Sequence, residues 1–160
     1  MPMQFIRQKM LKVAIIGKLP SKWEAFKLDE SYEIWGCNKH IDMDKMPRIT
    51  RWFDIHKNIS SYNENISSKL ITRDKYPLEK VLDLLGGNYL NNSISYMIMY
   101  AVLQGATEIA LFGVSLSNGE EIRTKQLNNL REILFFCKGR GIKVSSIEEN
   151  VLATYPLYGA

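Results

Sequence analysis

Apolar residues along the chain gather in two kinds of pattern. Short runs rich in β-branched and aromatic residues occur at 12–17 (KVAIIG), 32–37 (YEIWGC), 50–55 (TRWFDI) and 108–114 (EIALFGV). Runs of this length, bounded by glycine or polar clusters, suit strands buried on both faces. Residues 142–145 predict a last strand and 69–72 a short edge strand. In longer stretches the apolar residues recur every three or four positions. The spacing of Ile94, Met97, Ile98, Ala101 and Val102 predicts a helix over 93–104, which Gly105 ends. A second long helix is expected over 121–138, with Ile122, Leu130, Ile133, Leu134 and Cys137 on one face. Two shorter ones are expected at 21–28, where Pro20 suits a helix start, and at 77–85, stopped by Gly86 and Gly87.

Residues 57–68, rich in Asn and Ser, read as an exposed loop and a candidate mobile lid. Trp23, Trp35 and Trp52 each sit inside an element, which suits packing in the core rather than stacking on a base. Strands alternating with helices in the order β-α-β-β-α-α-β-α-β predict an α/β fold. The expectation is a Rossmann-like open, mostly parallel sheet with helices on both faces. It would form a single domain over 1–160, with 1–11 as an exposed lead-in.

Composition narrows the classes. The chain has 160 residues, 46% of them hydrophobic, which is enough for a real core. No stretch approaches the roughly 20 apolar residues of a membrane span. The basic start MPMQFIRQKMLK lacks the apolar segment of a secretory signal, so a cytoplasmic location is expected. Cys37 and Cys137 form no CxxC pattern, so reduced thiols are expected rather than a disulfide framework or zinc site. Two histidines are too few for a histidine-rich metal site. The net charge of +4 is spread along the chain; it fits a phosphate-bearing small ligand and does not demand nucleic acid. Oligomeric state stays open, a homo-oligomer included.

In open α/β sheets ligands bind beyond the carboxyl ends of the strands, where strand order reverses. That rule gathers scattered polar residues into one candidate site. Gly17, Lys18, Pro20 and Ser21 follow the first strand. Asn38, Lys39 and His40 follow the second, Asp54, His56 and Lys57 the third, and Gly113, Ser115 and Ser117 the fourth. The loop GKLPS has one glycine where phosphate cradles carry two or three. Lys18 is either a point-charge contact to phosphate or a solvated lysine. Asn92 or Ser93 would cap the helix over 93–104, whose start suits a phosphate or carboxylate, with Ser95 and Tyr96 in the first turn. His40 and His56 are each either a surface residue with one local hydrogen bond or a ligand contact; with Asp54 they are the candidates for acid–base work. From the long helix, Glu121, Arg123 and Gln126 could reach a ligand from the side.

These segments together resemble the bacterial lipooligosaccharide sialyltransferases and the related hydroxymethylpterin diphosphokinase-like proteins. The residues that carry the likeness are Gly17, Pro20 and Ser21, the Cys37-Asn38 pair, WFDIH over 52–56, SISYM over 93–97 and GATEIALFGV over 105–114. It is closer still to small proteins of bacteriophage genomes with a similar Ser-Ile-Ser-Tyr-Met segment. The resemblance implies a Rossmann-like fold around a cytidine-type nucleotide, contacted by Gly17, Asn38 and the Ser93 helix start. The chain departs from the pattern at Lys18, Leu19 and Ser115, which replaces an aspartate. No histidine lies beyond His56, so the family's catalytic histidine has no counterpart and the resemblance implies binding rather than sialyl transfer.

The expected ligand is therefore a nucleotide, nucleotide sugar or related molecule, with no certain cofactor. Three functions follow. An enzyme, transferase or hydrolase, would act on that ligand by glycosyl or phosphoryl chemistry. A binding protein would sequester a nucleotide, such as a signalling nucleotide of host defence, in the host cytoplasm if phage-encoded. A structural or assembly protein would use no small ligand.

Overall fold

The computed structural model describes residues 10–116, 120–152 and 155–159. Most of the expected lead-in and Ser117 lie outside the described residues. β1 (Leu11–Ile16), β2 (Tyr32–Cys37), β3 (Arg51–Asp54), β4 (Leu70–Thr72), β5 (Ala106–Phe112) and β6 (Lys143–Ser146) form one six-stranded sheet. Its order is β4-β3-β2-β1-β5-β6, and every neighbouring pair is parallel. The Rossmann-like α/β sheet expected from the sequence is thus parallel throughout. The chain lays β2 to β4 outward on one side of β1, then returns to place β5 and β6 on the other. The reversal of strand order falls between β1 and β5.

Parallel strands are covered on both faces, which is why β1 needs an unbroken apolar run. Val13 and Ile15 face one layer, Ala14 and Ile16 the other, and all four are buried. The first layer is α-helical: α2 (Leu78–Leu85), α3 (Ser93–Leu103) and α4 (Glu121–Gly139). In α3, Met97, Ile98, Met99 and Ala101 are all fully buried, because the helix lies against the sheet and is flanked by α2 and α4. The second layer is thin. It consists of a 3-10 segment (Pro20–Lys27) and the one-turn α1 (Glu64–Ser67), whose Ala25 and Ile66 join Ile49 in packing on Ala14, Ile16, Ile34 and Trp52.

Four local expectations are corrected. The 21–28 helix is a tight 3-10 run, with backbone bonds such as Lys22 N–H to the Leu19 carbonyl (3.0 Å). Trp35 and Trp52 are core residues, but Trp23 is only half-buried beside Phe26, and Ile122 on α4 is exposed. The polar stretch 57–68 is not one loop. The Asn63 side chain accepts from Ile66 N–H (3.0 Å) and caps α1, and burial of Ile66 pins the turn down, leaving 57–62 as loop. Among the described residues no helix is long and apolar enough to cross a membrane.

Candidate functional site

A cleft of about 650 Å³ opens at the carboxyl ends of β1, β2, β3 and β5, against the starts of α3 and α4. It follows from the topology: at the β1/β5 reversal, no crossover covers the strand ends. The loops after β1 and β5 touch there through two glycines. Gly17 N–H donates to the Phe112 carbonyl (2.8 Å) and Leu19 N–H to the Gly113 carbonyl (3.0 Å). A Cβ on Gly17 would lie 2.3 Å from the Gly113 oxygen, and one on Gly113 would lie 2.7 Å from the Leu19 oxygen. Both glycines line the cleft, and their lack of a side chain lets the two backbones cross.

Asn38 leaves β2 with φ 62°, the one non-glycine residue at positive φ among the described residues. Neighbours fix it there: its N–H donates to the Phe53 carbonyl (2.9 Å), and its carbonyl accepts from Trp52 Nε1 (3.1 Å). Asparagine tolerates this conformation better than most residues, at a cost on the order of 1 kcal/mol. Its side chain lines the cleft, and its Oδ1 is buried with no hydrogen-bond partner. A buried acceptor left unpaired is costly.

Asp54, at the end of β3, is 2% exposed and organises the neighbouring loop. Its Oδ1 accepts from the His56 N–H (3.2 Å) and ring Nδ1 (2.8 Å). Its Oδ2 accepts from the Tyr62 hydroxyl (2.7 Å) and Ser60 N–H (3.5 Å). Burial opposes ionisation, but the bonds from Tyr62, the His56 ring and the two backbone N–H groups outweigh it and hold the carboxyl below its ordinary 3.8. An ionised carboxylate only accepts, so Nδ1 carries the ring proton. In the neutral ring Nε2 then bears the lone pair, and the His56 side chain is 61% exposed. A histidine oriented by a buried carboxylate is the arrangement of a general base.

The opposite wall is the start of α3. Asn92 Oδ1 accepts from Ser95 N–H (3.0 Å), so Asn92 rather than Ser93 is the cap. Its Nδ2 contacts Ser95 Oγ (2.9 Å) and Asn129 Oδ1 on α4 (3.1 Å). Asn129 also accepts from Asn91 N–H (3.2 Å) and donates to the Tyr89 carbonyl. The N–H groups of Ser93 and Ile94 have no partner within their own helix, and both residues line the cleft. Lys18, Lys39 and Arg123 add three cations, none ion-paired with a carboxylate among the described residues. Arg123 donates to Gln126 Oε1 (3.1 Å), which also lines the cleft.

Of the candidates from the sequence, Gly17, Lys18, Asn38, Lys39, Asp54, His56, Asn92, Ser93, Gly113, Ser115, Arg123 and Gln126 line this cleft. Five others do not. Pro20 starts the 3-10 segment, and the Ser21 hydroxyl is taken by Glu148 beyond β6. Ser95 is fully buried in the Asn92 network. Tyr96 lies against Tyr76 (5.0 Å), whose hydroxyl donates to the Tyr96 carbonyl (2.6 Å). His40 packs its ring on Trp52 (5.5 Å), and burial followed by the charge of Lys22 holds its pKa below 6.5.

Sequence reasoning missed Ser60, Tyr62 and the apolar floor of Leu19, Ile94, Val114 and Leu116. Cys37 also lines the cleft, but burial pushes its thiol up to about 12, which makes it a poor nucleophile. Lys22 was missed too. It is 3% exposed, paired with Asp42 (2.5 Å) and bonded to the Lys18 carbonyl (3.3 Å), so it braces the loop from beneath. Among the described residues no group of three or more His, Cys, Asp or Glu is placed to hold a metal ion.

No known family model and no curated protein matches the chain. Among solved structures it is similar to the sialyltransferase CstII from Campylobacter jejuni. The complex with the substrate analogue CMP-3FNeuAc has 16% identity over 86% of this chain and 81% of that one, with a TM-score of 0.48. The complex with cytidine-5'-monophosphate has 17% identity, coverage of 89% and 82%, and a TM-score of 0.49. The complex of sialyltransferase CST-II with a trisaccharide acceptor and CMP has 16% identity, coverage of 85% and 80%, and a TM-score of 0.46. At these values the likeness carries no assignment of function, which rests on the residues of the cleft.

Proposed function

We propose that the cleft binds a nucleotide or nucleotide-derived ligand, and that the chain acts on it by glycosyl or phosphoryl transfer. The observation that carries the binding reading is Asn38, strained and with a buried, unpartnered Oδ1 at the cleft wall. Shut off from solvent as it stands, that oxygen gains a donor such as a ribose hydroxyl or an exocyclic amine of a base when the side chain turns toward the cleft. Lys18, Lys39, Arg123 and the free N–H groups at the start of α3 suit phosphate oxygens. Leu19, Ile94, Val114 and Leu116 suit the flat face of a base, and about 650 Å³ accommodates a mononucleotide. The chemical role is drawn from Asp54 and His56: the carboxylate orients the ring, and Nε2 accepts a proton from an attacking hydroxyl or water.

The test is a nucleotide panel read by thermal shift and by chromatography of the ligands after incubation. A shift with a new product supports the enzyme, and a shift with intact ligand makes the protein a sequestering one. No shift with any member overturns both, and a shift that survives Asn38→Ala moves the site elsewhere.

A further inference from the structure

A second cleft, about 560 Å³, adjoins the first at His56. It is lined by His56, Lys57 and Ile59 of the loop after β3 and by Thr72, Arg73 and Asp74 at the end of β4. Among the described residues His56 alone lines both clefts. Ser60 borders the first, whereas Lys57 and Ile59 border the second, so the 56–60 segment is a partition between two spaces. The Asp54 carboxylate holds that partition at three points, the His56 N–H and ring and the Ser60 N–H, with Tyr62 as a fourth just beyond it. The second cleft carries two cations, Lys57 and Arg73, against one carboxylate, Asp74, and none of the three is ion-paired among the described residues.

A hydrolase needs only a water beside the imidazole. A second open cleft meeting the first at His56, with surplus positive charge and both an apolar and a hydroxyl-bearing residue in its lining, fits a larger co-substrate. We propose that this cleft binds the acceptor of the transfer, a molecule carrying a hydroxyl and an anionic group, with Lys57 and Arg73 on the anion and the hydroxyl directed at His56. The inference rests on the reading of the first cleft as the nucleotide site. In the step, the acceptor oxygen forms a bond to the carbon or phosphorus attached to the nucleotide's phosphate oxygen. The bond to that phosphate oxygen breaks, and its electron pair leaves with the nucleotide. The acceptor's hydroxyl proton passes to His56 Nε2.

The test follows the His56 ring by NMR while the full chain is titrated with glycerol 3-phosphate and with glycerate, hydroxyl-bearing probes with a phosphate and a carboxylate. Glycerol and inorganic phosphate serve as the hydroxyl-only and anion-only arms. The expected result is a saturable shift with one or both bifunctional probes that persists at saturating nucleotide, and a smaller effect from the single-function arms. The two bifunctional arms show which anion the site prefers. Arg73→Gln, or Lys57→Gln if the first variant folds poorly, is expected to weaken probe binding at least fivefold and leave nucleotide affinity unchanged. Displacement of the probe by nucleotide, or a probe affinity untouched by both substitutions, overturns the proposal. If no nucleotide perturbs the first cleft while the probe still shifts His56 through Arg73, the nucleotide reading fails and the second site stands.

Discussion

Polar clusters stand on both sides of the main cleft, one where α3 meets α4 and one where β2 and β3 end. They look alike in composition and differ in what they leave unpaired. Asn92, Ser95 and Asn129 bond to one another and to nearby backbone, so each is satisfied by the protein itself. Asn38 and His56 are held as firmly, through backbone bonds and Asp54, yet Asn38 Oδ1 has no partner and the Nε2 edge of an exposed ring remains. Buried polar groups are normally paired, so the first cluster is framework. The second retains hydrogen-bonding capacity, and on that side the proposed ligand chemistry is placed.

The difference can be broken from either side. The largest effect is expected from Asp54→Asn. An amide cannot accept from both the His56 ring and Tyr62, so the imidazole loses its orientation. Turnover, once a product is found by chromatography, should fall about 10²-fold or more, with nucleotide affinity nearly unchanged. Equal turnover in the variant would remove the dyad from the chemistry.

Next is Asn129→Leu on the framework side. It strands Asn91 N–H and the Tyr89 carbonyl and takes one of several acceptors from Asn92 Nδ2, and a loss of about 2–3 kcal/mol is expected in chemical denaturation. Stability unchanged within ~0.5 kcal/mol would show the network to be dispensable.

Asn38 should separate stability from binding. Asn38→Ala is expected to weaken nucleotide binding about tenfold, roughly 1.4 kcal/mol by calorimetry. Asn38→Gly should lose the same affinity while keeping or slightly raising the melting temperature, since glycine adopts φ 62° freely. A parallel fall in both quantities would make Asn38 framework as well.

The smallest effect concerns acid. Asp54 titrates below 3.8 in the folded chain, so its contribution to stability is present above 3.8 and is lost as pH falls through the lower folded value. Acid unfolding of Asp54→Asn should lack that component; an identical acid limb in both proteins would contradict the assignment.

The parallel sheet was legible because every central strand is an apolar run closed by a glycine or polar turn, as at Ile15 to Gly17. The thin second layer was less so. Trp23 and Ala25 fit a helical spacing, and nothing local signals that the turn packs closely on distant Gly113 or that it is a 3-10 run. In the site, Asn38 and Asp54 were legible from the strand-end rule alone. Ser21 and Ser95 were not excluded by it, because the groups that occupy them come from Glu148 and from an amide network reaching α4. Tyr62 escaped notice inside a polar stretch whose value lies in one bond to Asp54.

The pairing of β1 with β5 spans the register from Leu11 opposite Ala106 to Ile16 opposite Phe112. During synthesis on a ribosome, the first strand must therefore wait for some hundred residues before its second neighbour exists. Until then the nascent chain offers β1 with one edge bare and only half of the cleft, an edge on which another chain could settle. Gly17 and Gly113 are consequently the closing seam of assembly as well as a wall of the pocket. A side chain at either position would be felt most in the yield of newly made protein, before any ligand is offered.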